Sequence, residues 1–238
     1  MNVDDRFGRV GLLAGDDMME RLRACRVIIF GVGGVGSWCA EALARTAIGH
    51  ITLVDSDTVA LSNINRQLPA LNSTVGRPKV EVMAERMRDI NPDAVVEAIE
   101  GRYTPDTAAE FGIDTYDYCI DAIDSLPDKA DLIMRCTTGS TGPRRAFFSS
   151  MGAARKLTPA AFRTAEFYKV EGCPLARALR TWFRRHDQRP GKFTCVYSPE
   201  RAPHRAPDAE TGGPNGTFVH ATAVAGLTLA SLVVNDLY

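Results

Sequence analysis

IIFGVGGVGSW, residues 28–38, is an apolar run that breaks into glycines and then opens a helix. Gly31, Gly33 and Gly36 fit the spacing G-x-G-x-x-G between a strand, CRVIIF (25–30), and a helix, VGSWCAEALARTA (35–47). The first glycine permits a tight turn and the second lets backbone approach a phosphate. The helix N-terminus adds free amides and the positive end of its dipole. HITLVD (50–55) reads as the next strand. Asp55 at its end stands where a carboxylate takes the hydroxyls of a ribose. These features call for a nucleotide, and alone they favour NAD.

The pattern continues outward from this unit. KVEVMAERMRDIN (79–91) carries Val80, Met83, Met87 and Ile90 at helical spacing, and SLPDKADLIMRCTT (125–138) is a second helix with Ser125 as N-cap. AVVEAI (94–99), YDYCIDAI (116–123) and RAFFSS (145–150) are strand-like. Such alternation predicts an α/β fold of Rossmann type, a mostly parallel central sheet with helices on both faces. Beyond Met151 the pattern loosens into PLARALRTWFRRH (174–186), a helix opened by Pro174, and Pro- and Gly-rich loops including 201–216. VHATAVAGLTLASLVV (219–234) reads as a buried C-terminal helix, short of a membrane span. The expected organisation is one domain over 1–238, a nucleotide-binding core (1–150) with an elaboration (151–238).

The residues after the glycines argue against redox use. DSDTVALSNINRQLPA (55–70) places Asp57, Asn63, Asn65, Arg66 and Gln67 just past the second strand. A dehydrogenase has little use for a polar run with an arginine there, whereas Arg66 can neutralise phosphate. RPKVEV (77–82) sets Lys79 at a helix start, a second cation for a polyphosphate tail. DAIDS (121–125) leaves Asp121 and Asp124 beyond the carboxyl edge of a later strand. A carboxylate there, beside phosphate, suits Mg²⁺, which takes hard oxygen donors and few protein ligands. Which of the two aspartates holds the metal stays open at this stage. Together these residues describe a triphosphate held for attack, with positioning and charge neutralisation supplying the catalysis.

Composition narrows the partners. The net charge is −1, so the whole molecule does not attract nucleic acid. Yet 14 Lys/Arg and only 4 Asp/Glu fall between Arg144 and Arg205. Within that span Arg177, Arg180, Arg184, Arg185, Arg189 and Lys192 lie in 16 residues, opposed by Asp187 alone. Such cations would position a nucleic-acid backbone without reading its sequence, while Trp182 is expected in the core. The six cysteines form no C-x-x-C pair, so a four-cysteine zinc site is not expected. They read as buried thiols, with a sulfur relay through Cys173 or Cys195 left open. MNVDDRFGRV has no basic and apolar signal-peptide pattern, so a cytoplasmic protein is expected.

GVGGVGSWCAEALARTAIGHITLVDSD, SNINRQ, GRPKVEVMAERMRDINP and DAIDS resemble the adenylation domain of the ubiquitin-activating-enzyme-like (E1-like) superfamily, the ThiF/MoeB/HesA type, over about residues 6–150. The resemblance implies activation of a carboxylate by ATP and Mg²⁺ as an acyl adenylate. It implies that Gly31, Gly33, Gly34 and Gly36 surround the nucleotide and that Asp55 holds the ribose. Asn63, Arg66, Gln67 and Lys79 would contact phosphates, and Asp124 would serve Mg²⁺. It further implies a homodimer in which Arg6 reaches the partner's site. SSMGAARKLTP (149–159), CPLARALRTWFRR (173–185) and CVYSPE (195–200) resemble a narrower group, the tRNA threonylcarbamoyladenosine dehydratases. The positive belt agrees with tRNA as partner. The alternative is an adenylyltransferase for a ubiquitin-like or sulfur-carrier protein, whose members usually carry two C-x-x-C pairs.

Overall fold

The computed structural model describes residues 5–138, 146–200 and 215–238. Most of the loop 201–216, the first residue of the strand expected over 145–150, and Arg144, Arg145, Arg201 and Arg205 of the basic span lie outside the described residues.

Seven strands form one sheet in the order β3-β2-β1-β4-β5-β7-β6. They are β1 (Arg26–Phe30), β2 (His50–Asp55), β3 (Val95–Glu100), β4 (Tyr118–Asp121), β5 (Ala146–Ser150), β6 (Arg163–Glu166) and β7 (Thr194–Tyr197). All neighbours pair in parallel except β6, which runs antiparallel to β7. The helices are α1 (Gly8–Ala14), α2 (Asp16–Ala24), α3 (Gly36–Arg45), α4 (Lys79–Ile90), α5 (Leu126–Thr137), α6 (Pro174–Arg185) and α7 (Val219–Leu237). β1 to β5 and α3 to α7 fall where the periodicity places them, within a few residues at each end. The additions are α1, α2, β6 and β7.

The pleat of β1 explains why both faces need cover. Val27 and Ile29 enter one apolar cluster, with Cys39 and Leu43 of α3, Val80, Met83 and Met87 of α4, and Leu229 and Val233 of α7. Ile28 and Phe30 point the other way, into a cluster with Ala130 and Ile133 of α5 and Leu179 and Phe183 of α6. A strand segment buried on both faces must be apolar throughout, and VIIF (27–30) is, with Arg26 at the partly exposed start. The second half of the chain therefore extends the same sheet, and its helices complete both layers.

β1 lies between β2 and β4, so the chain leaves it in one direction and returns on the other side. The carboxyl ends of strands at such a reversal open a crevice. α7 seals one face of it. The helix has 19 residues and is by length and composition long enough to cross a membrane, contrary to the shorter span expected. Its small residues instead seat it on α3: a Cβ at Gly226 would lie 2.3 Å from the Val35 carbonyl oxygen and 2.8 Å from Trp38 Cβ. Gly226→Val should therefore push α7 off α3 and cost roughly 1–3 kcal/mol of stability, as overpacking does. Urea denaturation checks this, and an unchanged midpoint would contradict the packing.

Candidate active site

One cavity of about 1200 Å³ occupies the crevice. Its walls come from both halves of the chain: the glycine loop, the ends of β2 and β4, and the segments after β5 and before α6.

The glycine loop is compressed against its surroundings. Gly31 has φ +90°, and a Cβ there would sit 2.7 Å from the Ala122 carbonyl oxygen. A Cβ on Gly36 would fall 1.8 Å from the Gly31 carbonyl oxygen. Glycine is required at both for steric reasons. Gly33 and Gly34 line the cavity floor. Asp55 holds the loop as well as facing the cavity: one carboxylate oxygen accepts the Val32 amide at 2.7 Å and the other the Asp57 amide at 2.9 Å. Each oxygen keeps a further lone pair for a ligand hydroxyl.

The cations flank this loop. Lys79 is buried, with Nζ 2.6 Å from the exposed Asp57 carboxylate. Arg66 is half-buried and donates through Nη1 to the Ser62 carbonyl at 3.1 Å and the Asn65 side chain at 2.8 Å. Asn63 lines the cavity, and its Oδ1 accepts the Ala60 amide. Gln67 is buried, and its Oε1 has no hydrogen-bond partner among the described residues. Thr217 Oγ1, in the same cavity, is orphaned in the same way. Buried polar atoms left unpaired are costly, so two of them facing one cavity suit a polar ligand that completes them.

The two candidate metal aspartates separate. Asp124 is exposed on the cavity wall. Asp121 has no exposed surface and does not line the cavity. Its Oδ2 meets Lys129 Nζ at 2.8 Å and accepts the Ser149 hydroxyl at 2.6 Å, and its Oδ1 accepts the Ile123 amide at 3.1 Å. Asp121, one of the two aspartates that the sequence offers to the ligand or its metal beyond the strand edge, is therefore corrected: it ends β4, and its oxygens are committed beneath the loop that carries Asp124. Lys129, also without exposed surface, donates to the Ile123 carbonyl of that loop at 3.1 Å. Sequence reading also missed the Arg102–Asp128 pair at 2.8 Å on the same wall. Its signal was Arg102 standing just past the end of β3.

Other expected site residues lie elsewhere. Arg6 is not part of the cavity of its own chain; its Nη1 donates to the Asp89 and Ile90 carbonyls at the end of α4. Arg177 is exposed and lines the cavity, and Arg184, Arg185, Arg189 and Lys192 are exposed. Arg180 is a correction. It is half-buried, lies over the Phe167 ring at 5.8 Å, and donates to the Phe167 and Val170 carbonyls at 3.2 and 3.0 Å. It tethers a loop and is not free for a nucleic-acid phosphate. Trp182 packs against the core and stacks on His186. Cys173 and Cys195 are buried, and burial pushes the Cys195 thiol far above its ordinary range, which opposes a thiolate there.

Comparison with known proteins follows the same outline. A family model described as the ThiF family matches residues 8–234. The tRNA threonylcarbamoyladenosine dehydratase of Bacillus subtilis is 38% identical over 98% of this chain and 94% of its own. The enzyme of that name from Haemophilus influenzae is 39% identical over 77% of this chain and 69% of its own. Among solved structures, the E. coli tRNA N6-threonylcarbamoyladenosine dehydratase TcdA in complex with ATP superposes with TM-score 0.87 at 35% identity, covering 100% of this chain and 97% of that one.

The buried pair beneath the site generates a stability prediction. Lys129→Met alone leaves Asp121 buried and uncompensated, and should cost roughly 3–5 kcal/mol in urea denaturation. Adding Asp121→Asn to it should recover part of that loss. Strictly additive effects would contradict the pairing.

Proposed function

The chain belongs to the ThiF family, and we propose that it is an ATP-dependent tRNA threonylcarbamoyladenosine dehydratase. It converts N6-threonylcarbamoyladenosine at position 37 of tRNA to the cyclic form with loss of water. The observation that carries this reading is the reach of the likeness. It runs through the second half, which supplies part of the cavity, and covers 98% of the chain against a relative so named.

The chemistry follows from the residues. A carboxylate oxygen of the substrate attacks the α-phosphorus of ATP, and the bond to the pyrophosphate oxygen breaks. The ureido group of the same substrate then attacks the acyl carbon, and AMP leaves with the carboxylate oxygen. The second step is intramolecular, so its high effective molarity removes the need for a cysteine nucleophile. Arg66 and Lys79 contact the phosphates and oppose the charge that develops there. Asp55 takes the ribose, Gln67 and Asn63 orient the polar tail, and Gly31, Gly33, Gly34 and Gly36 admit it.

Mg²⁺ would be held by Asp124 together with phosphate oxygens, and when bound it would neutralise charge on the leaving pyrophosphate. The exposed carboxylate of Asp124 on the cavity wall fits that donor set. The unpaired Gln67 and Thr217 oxygens support a polar nucleotide beside it. Arg6 completes the site from a second copy in a homodimer. Arg177, Arg184, Arg185, Arg189 and Lys192 receive the tRNA backbone in the cytoplasm, where tRNA is modified. Sulfur-transfer partners are not required by this scheme.

Purified protein mixed with tRNA bearing threonylcarbamoyladenosine and Mg-ATP should yield, after gentle digestion, a nucleoside lighter by one water, only with ATP present. An unchanged mass with ATP still bound would contradict the assignment and favour a protein carboxylate. Arg66→Ala and Asp124→Ala should each lower turnover by on the order of 10²–10³, the loss seen for single preorganised charge groups. Near-normal rates in both would refute the roles given to them.

A further inference from the structure

The second-half wall of the cavity holds a cation that the scheme above does not use. Lys156 follows β5 on the segment 151–156 and is only 4% exposed, yet it lines the cavity. Its Nζ donates to the Glu200 backbone carbonyl. No ion pair among the described residues includes it. The Glu200 carboxylate is engaged elsewhere, accepting the Leu157 and Thr158 amides at 3.0 Å each and the Thr158 hydroxyl at 3.1 Å. The Glu200 carboxylate attracts Lys156 without pairing with it directly, so a buried ammonium whose direct contact is a neutral carbonyl is only partly compensated for its lost hydration. The cavity is where its counter-ion can enter.

The surrounding backbone is arranged to hold this charge in place. Arg155 takes a left-handed conformation, φ 60°, that costs a side-chain-bearing residue of order 1–2 kcal/mol. Its amide donates to the Gly216 carbonyl at 2.9 Å, and His220 at the start of α7 meets the Leu157 carbonyl at 3.0 Å. The strained turn thus sets Arg155 and Lys156 consecutively on the cavity wall, near the orphaned Thr217 hydroxyl of the same lining. The nucleotide phosphates have their own cations in Arg66 and Lys79, so the anion for Lys156 is a different group.

We propose that Lys156 is the anchoring cation for the substrate carboxylate, holding it ready for attack on the α-phosphorus. This rests on the dehydratase reading. A charge-assisted contact of this kind contributes about ten- to hundredfold in binding.

The test is binding with α,β-methylene-ATP present, so that no turnover occurs. The ligands are an anticodon stem-loop bearing threonylcarbamoyladenosine, its methyl ester, and the unmodified stem-loop. The wild type should bind the acid about tenfold or more tightly than the ester. Lys156→Met should bind acid and ester alike, at the wild type's affinity for the ester, and hold the ATP analogue within about twofold. Lys156→Arg should restore part of the preference. A Lys156→Met protein that keeps the preference overturns the proposal. So does equal weakening of all three stem-loops, which would mark a contact to tRNA phosphate or a structural role. If Lys156→Met loses the ATP analogue, Lys156→Gln is judged by the same acid-to-ester ratio. A wild type that does not distinguish modified from unmodified stem-loop overturns the dehydratase reading itself, and this assignment with it.

Discussion

Asp121 and Lys129, 2.8 Å apart and without exposed surface, hold together the parts from which the site is made. Asp121 ends β4 and is bonded to Ser149 of β5; Lys129 belongs to α5 and reaches back to the carbonyl of Ile123. The segment between them, residues 122–125, is the one against which Gly31 is pressed and on which Asp124 stands. Such a pair gains little stability over an apolar one of equal volume. Its value lies in geometry: Asp121 is held by Lys129, the Ser149 hydroxyl and the Ile123 amide, Lys129 by Asp121 and the Ile123 carbonyl, and these bonds fix the loop. The glycine cradle and the carboxylate offered to the metal are thus set by a charge pair that touches neither.

The glycines complete the constraint from the other side. Gly36 sits so close to Gly31, and Gly31 to Ala122, that any side chain would force the loop away from β4. Asp55 ties the same loop to β2 through the Val32 amide. Three parallel strands therefore converge on one backbone turn, whose Gly33 and Gly34 line the cavity. The second half adds what a nucleotide-binding core lacks, a wall with its own buried cation and an exposed basic helix beside the entrance.

The central strands and helices were legible because parallel strands buried on both faces are apolar runs and the covering helices repeat at 3.6 residues. β6 and β7 were not, since four residues carry no period and β6 is a half-exposed edge. In the site, Gly31, Asp55, Arg66, Lys79 and Asp124 could be placed because motif spacing fixes them at or just beyond strand ends and helix starts, and all five line the cavity. Asp121 and Asp124 could not be told apart, for in-strand and after-strand positions differ by a turn that composition does not reveal. Arg180 looked like its neighbours in the basic run. Only the fold brings the Phe167 and Val170 carbonyls beneath it. Lys156 looked like any charge in a loop, and its burial is a tertiary fact.

In the proposed reaction a carboxylate oxygen of the substrate attacks the α-phosphorus of ATP and departs on AMP. Oxygen-18 placed in the carboxylate of the threonylcarbamoyl group tests it directly. One labelled oxygen should appear in AMP for each cyclic nucleoside formed, with pyrophosphate unlabelled. Label in inorganic phosphate with ADP as co-product, or label released as water, would contradict adenylation and place the attack elsewhere.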